Sequence, residues 1–222
     1  MINHHQKLWN LLFLEEFQKT NTLLKASYTK DKIEAGCDEA GRGCLCGPVF
    51  AAAVILPRDF KNELLNDSKK LSEKNRYLLR ELIEKEAIAY AVYKTNCQII
   101  DKINILNASI LSMQNAVKKL VVKPELLLID GNRFKPFEEY KYKCIIKGDG
   151  IYSSIAAASI LAKTYRDDYM QELHKEFPDY KWNKNKGYGT KEHQEAMLKY
   201  GRTKYHRKTF NFKSQQLSLD LK

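Results

Sequence analysis

Three apolar runs in this sequence each lead into an aspartate whose carboxylate could take part in chemistry. They are IEAGCD, ending at Asp38, ELLLID, ending at Asp130, and CIIKGD, ending at Asp149. Ligand sites in open α/β sheets lie at strand ends, so neighbouring strands would bring these acids together, with Glu39 as a fourth. Clustered carboxylates repel one another unless a cation neutralises them, and such oxygen ligands suit Mg²⁺ or Mn²⁺. A pair of these ions about 4 Å apart supports in-line attack on a phosphodiester.

Each of these signals has a second interpretation. Asp-Gly is a common turn sequence, so Asp130-Gly131 or Asp149-Gly150 alone indicates a turn more often than a metal ligand. The pair Asp38-Glu39 is more informative, because adjacent carboxylates repel each other and this pair follows an apolar run. Successive strand residues point to opposite faces, so both reach one site only if the chain turns at Glu39. The following Gly41-Arg42-Gly43 sequence suits such a turn.

Five apolar runs are predicted to form the strands that position these acids. The first two are joined by a glycine-rich connection and are expected to form a hairpin. The later runs alternate with helical patterns, which predicts an α/β sheet that mixes antiparallel and parallel strands. The five runs cover residues 33–38, 47–56, 87–95, 125–130 and 143–149.

Helices are predicted between and after these strands. One is expected near residues 73–86 with Ser72 as its N-cap, and another over residues 104–122, before Pro124. Ser153 and Ser154 open a long Ala-rich helix that ends before Pro178. On that helix, Lys163 and Arg166 are expected to be solvated or paired with Asp167.

The charge of the chain is strongly basic and uneven. The 222 residues carry a formal charge of +11, which favours polyanionic partners, nucleic acid before an anionic membrane surface. A hydrophobic content of 44% with 29% charged residues is typical of a globular protein and excludes a disordered or membrane-embedded chain. Residues 181–213 supply +8 of this charge and are predicted to contact phosphates, the alternative being simple solubility. Their basic residues are Lys181, Lys184, Lys186, Lys191, Lys199, Arg202, Lys204, Arg207, Lys208 and Lys213.

Six separated motifs together resemble one known family. They are GCDEAGRG, DSKKLS, LLIDGNR, IIKGD, SIAAASILAKTYRD and KGYGT, and their order is that of ribonuclease HII, the type 2 ribonuclease H family. The resemblance spans about residues 33–210. It implies a ribonuclease H-like fold, a mixed β-sheet flanked by helices with a C-terminal basic helical region. It also implies two divalent ions, Mn²⁺ or Mg²⁺, bound by Asp38, Glu39, Asp130 and Asp149.

The same resemblance implies an activity and a way of recognising substrate. Members cleave RNA in RNA–DNA hybrids and incise duplex DNA 5′ to a single embedded ribonucleotide, leaving 3′-hydroxyl and 5′-phosphate ends. The backbone of Gly41, Arg42 and Gly43 is expected to touch the ribose 2′-hydroxyl, the group that distinguishes RNA from DNA. Tyr188 is expected to check the ribose-to-deoxyribose junction, and Lys69 to meet a phosphate.

The remaining segments support a division into four parts. Residues 1–30 are expected to form an extension with an amphipathic helix, 31–180 the ribonuclease H-like catalytic domain, 181–213 the basic helical region and 214–222 a flexible tail. In that tail, Gln216–Leu221 (QLSLDL) resembles the peptide with which bacterial proteins dock on the replicative sliding clamp, although short peptides match by chance. The five cysteines show no paired metal-binding spacing and are expected to be buried thiols. We expect a cytoplasmic monomer without a membrane span.

Two other functions fit part of the sequence. A non-catalytic nucleic-acid-binding module would explain the basic segment but not three apolar runs that end in aspartate. A ribonuclease H-like DNA nuclease also needs clustered carboxylates, and it would cleave substrate that lacks any 2′-hydroxyl. The nearer relative ribonuclease HIII carries a folded N-terminal domain, which about 30 residues cannot form.

Overall fold

The computed structural model describes residues 23–65 and 71–212. Three predicted features lie outside these residues: the helix of the N-terminal extension, Lys69 and the clamp-like peptide Gln216–Leu221. Within the described residues, no helix has both the length and the apolar character needed to span a membrane.

The described chain contains five strands, six α-helices and two short 3₁₀ turns. The strands are β1 (Glu34–Ala40), β2 (Val49–Ile55), β3 (Ala89–Thr95), β4 (Leu126–Asp130) and β5 (Lys141–Ile145). The helices are α1 (Glu73–Glu86), α2 (Cys97–Ile103), α3 (Ile105–Lys118), α4 (Ser153–Glu176), α5 (Trp182–Asn185) and α6 (Lys191–Tyr200). The 3₁₀ turns are Gly148–Gly150 and Pro178–Tyr180.

The five strands form one mixed sheet in the order β3-β2-β1-β4-β5. The pairs β1–β2 and β2–β3 are antiparallel, whereas β1–β4 and β4–β5 are parallel. The hairpin and the mixture of strand directions predicted from the sequence are therefore confirmed. Because β1 and β4 are parallel neighbours in the middle of the sheet, their C-terminal ends lie side by side.

Helices cover both faces of the sheet. On one face α4 packs against β1 and β2, with α1 beside it, and the core there combines Ala52 and Val54 with the alanines of α4. On the other face α3 packs against β2 and β3, and its Ile110 and Met113 meet Ala51. The unusually small residues of β2 allow the helices to approach closely, which fixes α4 against the strands that carry the acids.

Local signals explain where most helices begin. The Ser72 hydroxyl accepts a hydrogen bond from the Asn75 N–H at 3.2 Å, which confirms the predicted N-cap of α1. The helix predicted over residues 104–122 ends at Lys118 and is preceded by α2, which the prediction missed. Asn104 separates the two helices, because its φ of 64° interrupts α2 while its side chain caps α3.

The segment after α4 folds back against the turn that joins β1 to β2. Trp182 in α5 is fully buried in a cluster with Leu45 of that turn and Met170 of α4. The Leu45 N–H donates to the Gly187 carbonyl at 2.9 Å, and the Leu45 carbonyl accepts from the Arg207 N–H at 2.9 Å. Residues 181–212 thus form one wall of the molecule beside the turn, with helix confined to α5 and α6.

Candidate active site

A cleft of about 390 Å³ opens where β1 and β4 end beside α4. Seven of the nine site residues predicted from the sequence line it. The other two do not: Asp149 is outside the lining, and Lys69 is outside the described residues. The fold therefore brings β1, β4 and the segment after α5 to one place. The seven are Asp38, Glu39, Gly41, Arg42, Gly43, Asp130 and Tyr188.

Asp38 is the most enclosed acid of the cleft, with 5% of its surface exposed. Its Oδ1 accepts the Glu39 N–H at 2.7 Å, and the Ser159 hydroxyl of α4 also bonds to its side chain. Burial, followed by the charges of Glu39 and Asp130, raises the pKa of Asp38 well above its ordinary value. The surrounding protein therefore leaves the negative charge at this position largely uncompensated.

Glu39 lies next to Asp38 in β1 but on the opposite side of the strand, where it also lines a second groove beside α3. The expectation that the chain turns at Glu39 is wrong, because β1 continues to Ala40 and the turn begins at Gly41, with φ 93°. Both carboxylates still border the cleft because they lie at the strand end. The Glu39 Oε1 pairs with the Arg42 guanidinium at 3.1 Å.

Asp130 ends β4 as predicted, whereas Asp149 does not end a strand. β5 stops at Ile145, and Lys147 adopts a left-handed conformation that leads into the 3₁₀ turn containing Asp149. The Gly148 N–H donates to Asp130 Oδ1 at 2.7 Å, which holds this turn against the end of β4. Asp149 is buried with 5% exposure, one residue from this contact and outside the lining of the cleft.

The acids of the cleft suit a hard divalent cation by their chemistry. They are oxygen donors, and the raised pKa of Asp38 indicates that negative charge accumulates there. In residues 23–65 and 71–212, no three Asp, Glu, His or Cys side chains are already arranged as a metal-binding group. Local donors hold them instead: the Glu39 N–H, the Arg42 guanidinium and the Gly148 N–H each bind one carboxylate.

Two arginines that the sequence placed at the surface are buried beneath the glycine turn. Arg166 was expected to be solvated or paired with Asp167, and Arg207 was counted among the phosphate-binding residues; both expectations are wrong. Each has 0% exposure, and within the described part of the chain their guanidinium groups donate to main-chain carbonyls. Asp167 pairs instead with Lys163, whose Nζ lies 2.6 Å from Asp167 Oδ2, as the sequence predicted for that lysine.

Tyr188 lines the same cleft as the acids, with 42% of its surface exposed. Its ring centroid is 5.8 Å from the Arg166 guanidinium, and its hydroxyl interacts with the nearby Cys44 thiol. Burial is the main cause that raises the pKa of the Tyr188 hydroxyl above its ordinary value. Tyr188 therefore borders the cleft with a neutral hydroxyl beside Cys44.

Three further residues of the cleft were missed by sequence reasoning. Ser159, Lys163 and Arg76 all line it. Ser159 and Lys163 are one helical turn apart on α4, so their i, i+4 spacing places them on one face, and this signal could have identified them. Burial lowers the pKa of Lys163, although the adjacent Asp167 acts in the opposite sense.

A chain of hydrogen bonds between two buried histidines supports the wall that carries Tyr188. His193 Nδ1 lies 2.8 Å from the Tyr188 carbonyl, which only accepts, so that nitrogen carries the proton. His193 Nε2 is then the acceptor for the Trp182 indole N–H at 3.0 Å and for His206 Nε2 at 3.1 Å. His206 Nδ1 accepts the Thr203 N–H at 2.9 Å. Both imidazoles are therefore neutral, and protonating either one removes an acceptor.

This arrangement predicts a loss of stability in acid. Burial, then His193 and then Arg202, lower the pKa of His206 from near 6.5 to about 3. Between those values the unfolded chain binds a proton that the folded chain does not. The free energy of unfolding should therefore be unaffected by this group above pH 6.5 and fall by up to about 1.4 kcal/mol per pH unit below it.

Urea denaturation between pH 4 and 7.5 measures this effect. His206→Gln should have a shallower decline in the acid range than the unsubstituted protein. Equal slopes for the two proteins would show that His206 is not responsible.

The sheet, its flanking helices and the acidic cleft define the class of ribonuclease H-like proteins. Among solved structures, the chain is similar to the ribonuclease in the PCNA:RNase HII complex from Archaeoglobus fulgidus, with a TM-score of 0.66 and 25% identity over 82% of this chain and 96% of that one. A structure of Bst-RNase HIII in complex with Mn²⁺ has the same fold, with a TM-score of 0.66 and 18% identity over 84% of this chain and 70% of that one.

Sequence comparison identifies the family within that class. The profile of the family described as Ribonuclease HII matches residues 35–213. Ribonuclease HII of Phocaeicola vulgatus is 62% identical over 192 residues, which cover 86% of this chain and 96% of that protein. The chain belongs to the ribonuclease HII family. It is a ribonuclease H, an endonuclease that acts on RNA–DNA hybrids, and both alternatives considered from the sequence are set aside.

Proposed function

We propose that this enzyme incises duplex DNA on the 5′ side of an embedded ribonucleotide, as well as cleaving the RNA of hybrids, and leaves 3′-hydroxyl and 5′-phosphate ends. One observation carries the proposal: one cleft contains both the acids and the glycine turn. Asp38 and Asp130 line it together with Gly41, Arg42 and Gly43. A turn of this composition lets backbone donors approach a sugar closely, because two of its residues have no Cβ.

Two divalent ions, Mg²⁺ or Mn²⁺, complete this proposed site. Asp38, Glu39, Asp130 and Asp149 are the residues that would hold them. When bound, such ions supply an activated water and stabilise charge on the leaving oxygen. The Mn²⁺ complex of the similarly folded Bst-RNase HIII supports a divalent ion in this fold. Rotation of the Glu39 side chain away from Arg42 would release its carboxylate for binding.

The protein's own residues have separate roles in this proposal. The N–H groups of the turn bind the 2′-hydroxyl, which is both a donor and an acceptor and is absent from DNA. The Arg42 side chain, with half of its surface exposed, neutralises a neighbouring phosphate. Lys163 presents a second positive charge to the cleft. Lys69, outside the described residues, remains a predicted phosphate contact.

Affinity for the phosphate backbone of the nucleic acid is assigned to residues 181–213, the proposed substrate-binding region. Among residues 181–212, which the structure describes, six lysines are exposed, and the acids near them offset only part of their charge. Binding through phosphates is independent of sequence and weakens with salt. Residues 31–180 form the proposed catalytic domain, and a monomeric, cytoplasmic enzyme remains our prediction. The six exposed lysines are Lys181, Lys184, Lys191, Lys199, Lys204 and Lys208.

The decisive experiment uses labelled duplex DNA that contains one ribonucleotide and an all-DNA twin of the same sequence. Each is incubated with the enzyme in Mg²⁺, in Mn²⁺ and in chelator. We expect incision 5′ to the ribonucleotide, only with metal and only in the first duplex. Cutting of both duplexes would contradict recognition of the 2′-hydroxyl, and cutting in chelator would contradict the need for divalent ions.

Tyr188 is predicted to act mainly through its ring. Tyr188 lines the cleft, its ring lies 5.8 Å from the Arg166 guanidinium, and its hydroxyl interacts with the Cys44 thiol. Tyr188→Phe should therefore retain cleavage within about tenfold, whereas Tyr188→Ala should lose about 10- to 100-fold, as expected for one lost stacking contact. Single-turnover cleavage of the one-ribonucleotide duplex measures both. Equal activity of the two variants would assign Tyr188 to packing alone.

The clamp-like peptide Gln216–Leu221 supports a second, separate partner. The Archaeoglobus fulgidus relative was solved as a complex with PCNA, a precedent for a clamp partner in this fold. We propose that the peptide docks on the replicative sliding clamp. Fluorescence anisotropy of the labelled peptide, titrated with purified clamp, should show saturable binding, and a scrambled peptide serves as the control. An unchanged signal would remove the clamp from the list of partners.

A further inference from the structure

Two buried arginines, Arg207 and Arg166, hold the carbonyls of the turn that begins at Gly41. They are called the arginine pair below. Arg207 donates from Nη2 to the Gly41 carbonyl at 2.6 Å and from Nη1 to the Arg42 carbonyl at 2.7 Å. Its Nε and Nη2 both reach the Gly47 carbonyl at 3.0 Å. One guanidinium therefore fixes both ends of the turn.

Arg166 fixes the neighbouring backbone and connects it to the segment before Tyr188. It donates from Nη2 to the Cys46 carbonyl at 3.1 Å, from Nε to the Pro48 carbonyl at 3.1 Å, and from Nη1 to the Lys186 carbonyl at 2.8 Å. Lys186 is two residues before Tyr188. A Cβ on Gly41 would overlap the Arg166 guanidinium, so glycine is required there both by this contact and by its positive φ.

Burying these two positive charges costs free energy, and the need to fill the space does not explain why arginine stands at both positions. Within the described residues, neither guanidinium forms a salt bridge with a carboxylate, and both are fully buried. An apolar side chain would fill the same space without the penalty of removing a charge from water. Burial lowers the pKa of Arg207 to about 10, so the group stays charged near neutral pH. Several hydrogen bonds to one turn from a planar fork indicate a requirement for a fixed backbone orientation.

The orientation of the carbonyls determines where the amide groups point. In a planar trans peptide the C=O and the following N–H point in opposite directions. Because the Gly41 and Arg42 carbonyls point inward to Arg207, the N–H groups of Arg42 and Gly43 point away from it. No hydrogen bond joins either N–H to another residue of the described chain. Both residues line the cleft, so the two donors remain available to a ligand there.

We propose that Arg207, assisted by Arg166, is a positioning residue for ribonucleotide recognition, because it holds the Arg42 and Gly43 N–H groups in the orientation that binds a 2′-hydroxyl. This inference rests on the proposed function, since it assumes that the turn reads the sugar. It assigns the selectivity of the cleft to a side chain that never touches the substrate.

Arg207→Lys tests this role, with Arg58→Lys as the matched control. A lysine keeps the charge but cannot bridge three carbonyls with planar geometry. Arg58 also donates to main-chain carbonyls, those of Lys30 and Lys32, but does not line the cleft. Circular dichroism and thermal melting establish the folded fraction of each variant before comparison.

The readout is selectivity, which a purely structural role would leave unchanged. In chelator, the affinities for the one-ribonucleotide duplex and the all-DNA twin are compared. We expect Arg207→Lys to lower the affinity for the one-ribonucleotide duplex relative to the all-DNA twin by about 10- to 100-fold per folded molecule. The kcat/KM of cleavage, measured with metal, should fall by the same factor. The affinity for the all-DNA duplex should remain within about twofold, because surface lysines set it. An unchanged ratio in Arg207→Lys, or an equal loss in Arg58→Lys, would overturn the positioning role.

A second measurement needs no substitution, in case Arg207→Lys does not fold. The unsubstituted protein, labelled with ¹⁵N-arginine and ¹⁵N-glycine, is titrated in chelator with each duplex. The Arg42 and Gly43 amide signals should shift with the ribonucleotide duplex and move less with the all-DNA twin. Identical shifts from an enzyme that cleaves selectively would refute the inference. Failure of the unsubstituted enzyme to cleave the ribonucleotide duplex would refute the proposed function instead.

Discussion

Replacing Asp38 or Asp130 by asparagine is expected to reduce cleavage by about 10³-fold or more while duplex binding is retained. The amide has nearly the same shape as the carboxylate, so packing beside α4 is preserved, but it lacks the charge that would hold a divalent ion. Binding should stay equal or become slightly tighter, because removing a negative charge weakens repulsion of the phosphates.

Single-turnover cleavage and binding in chelator separate these two effects. Asp59→Asn removes one carboxylate from an exposed position outside the cleft and serves as the matched control. The control should cleave like the unsubstituted enzyme. Full turnover by either cleft variant would mean that the acid in question takes no part in the reaction.

Gly36→Ala is expected to lower the free energy of unfolding by more than about 3 kcal/mol. Gly36 pairs with Val54 of β2 and Leu128 of β4 in the centre of the sheet. A Cβ there would overlap the main-chain atoms of Ser154 and Ile155 at the start of α4. Backbone cannot rotate aside like a side chain, so α4 would have to move away from β1.

Chemical denaturation measures this cost. Gly150→Ala is the matched control, because a Cβ at Gly150 meets no atom within 4 Å and its φ is not positive. Its free energy of unfolding should change by less than about 1 kcal/mol. If Gly36→Ala folds, displacement of α4 should also move Ser159 away from Asp38 and reduce cleavage. Equal stability of the two variants would show that α4 adapts to the added methyl group.

The sequence was sufficient to predict the central elements and most of the acids. The apolar runs before Asp38 and Asp130 are recognisable because both lie in buried parallel neighbours of the sheet. Asp149 was placed at the end of a strand because the apolar residues of CIIKGD continue past Ile145. Lys147 breaks the strand by adopting a positive φ, a conformation uncommon for lysine that local composition does not predict.

The buried arginines could not be predicted by the same reasoning. Arginine is expected at the surface or paired with an acid, so a pattern of residue types assigns Arg166 to solvent and Arg207 to phosphate. Their actual partners are backbone carbonyls. Because every residue carries one, the residue types in the sequence do not indicate which carbonyls accept these hydrogen bonds. Similarly, the histidine pair lies in separate segments, and only the fold brings His193 to His206.

The arginine pair also has a consequence for the synthesis of the enzyme on the ribosome. Arg207 follows Gly41 by 166 residues, and the two are joined by a hydrogen bond. A ribosome builds the chain from its N-terminus, so β1 and the acids emerge long before Arg207 is available to the turn. All five strands are therefore synthesised before the side chain that holds the turn. On the proposed role of Arg207, selective cleavage would arise only after synthesis has passed this residue.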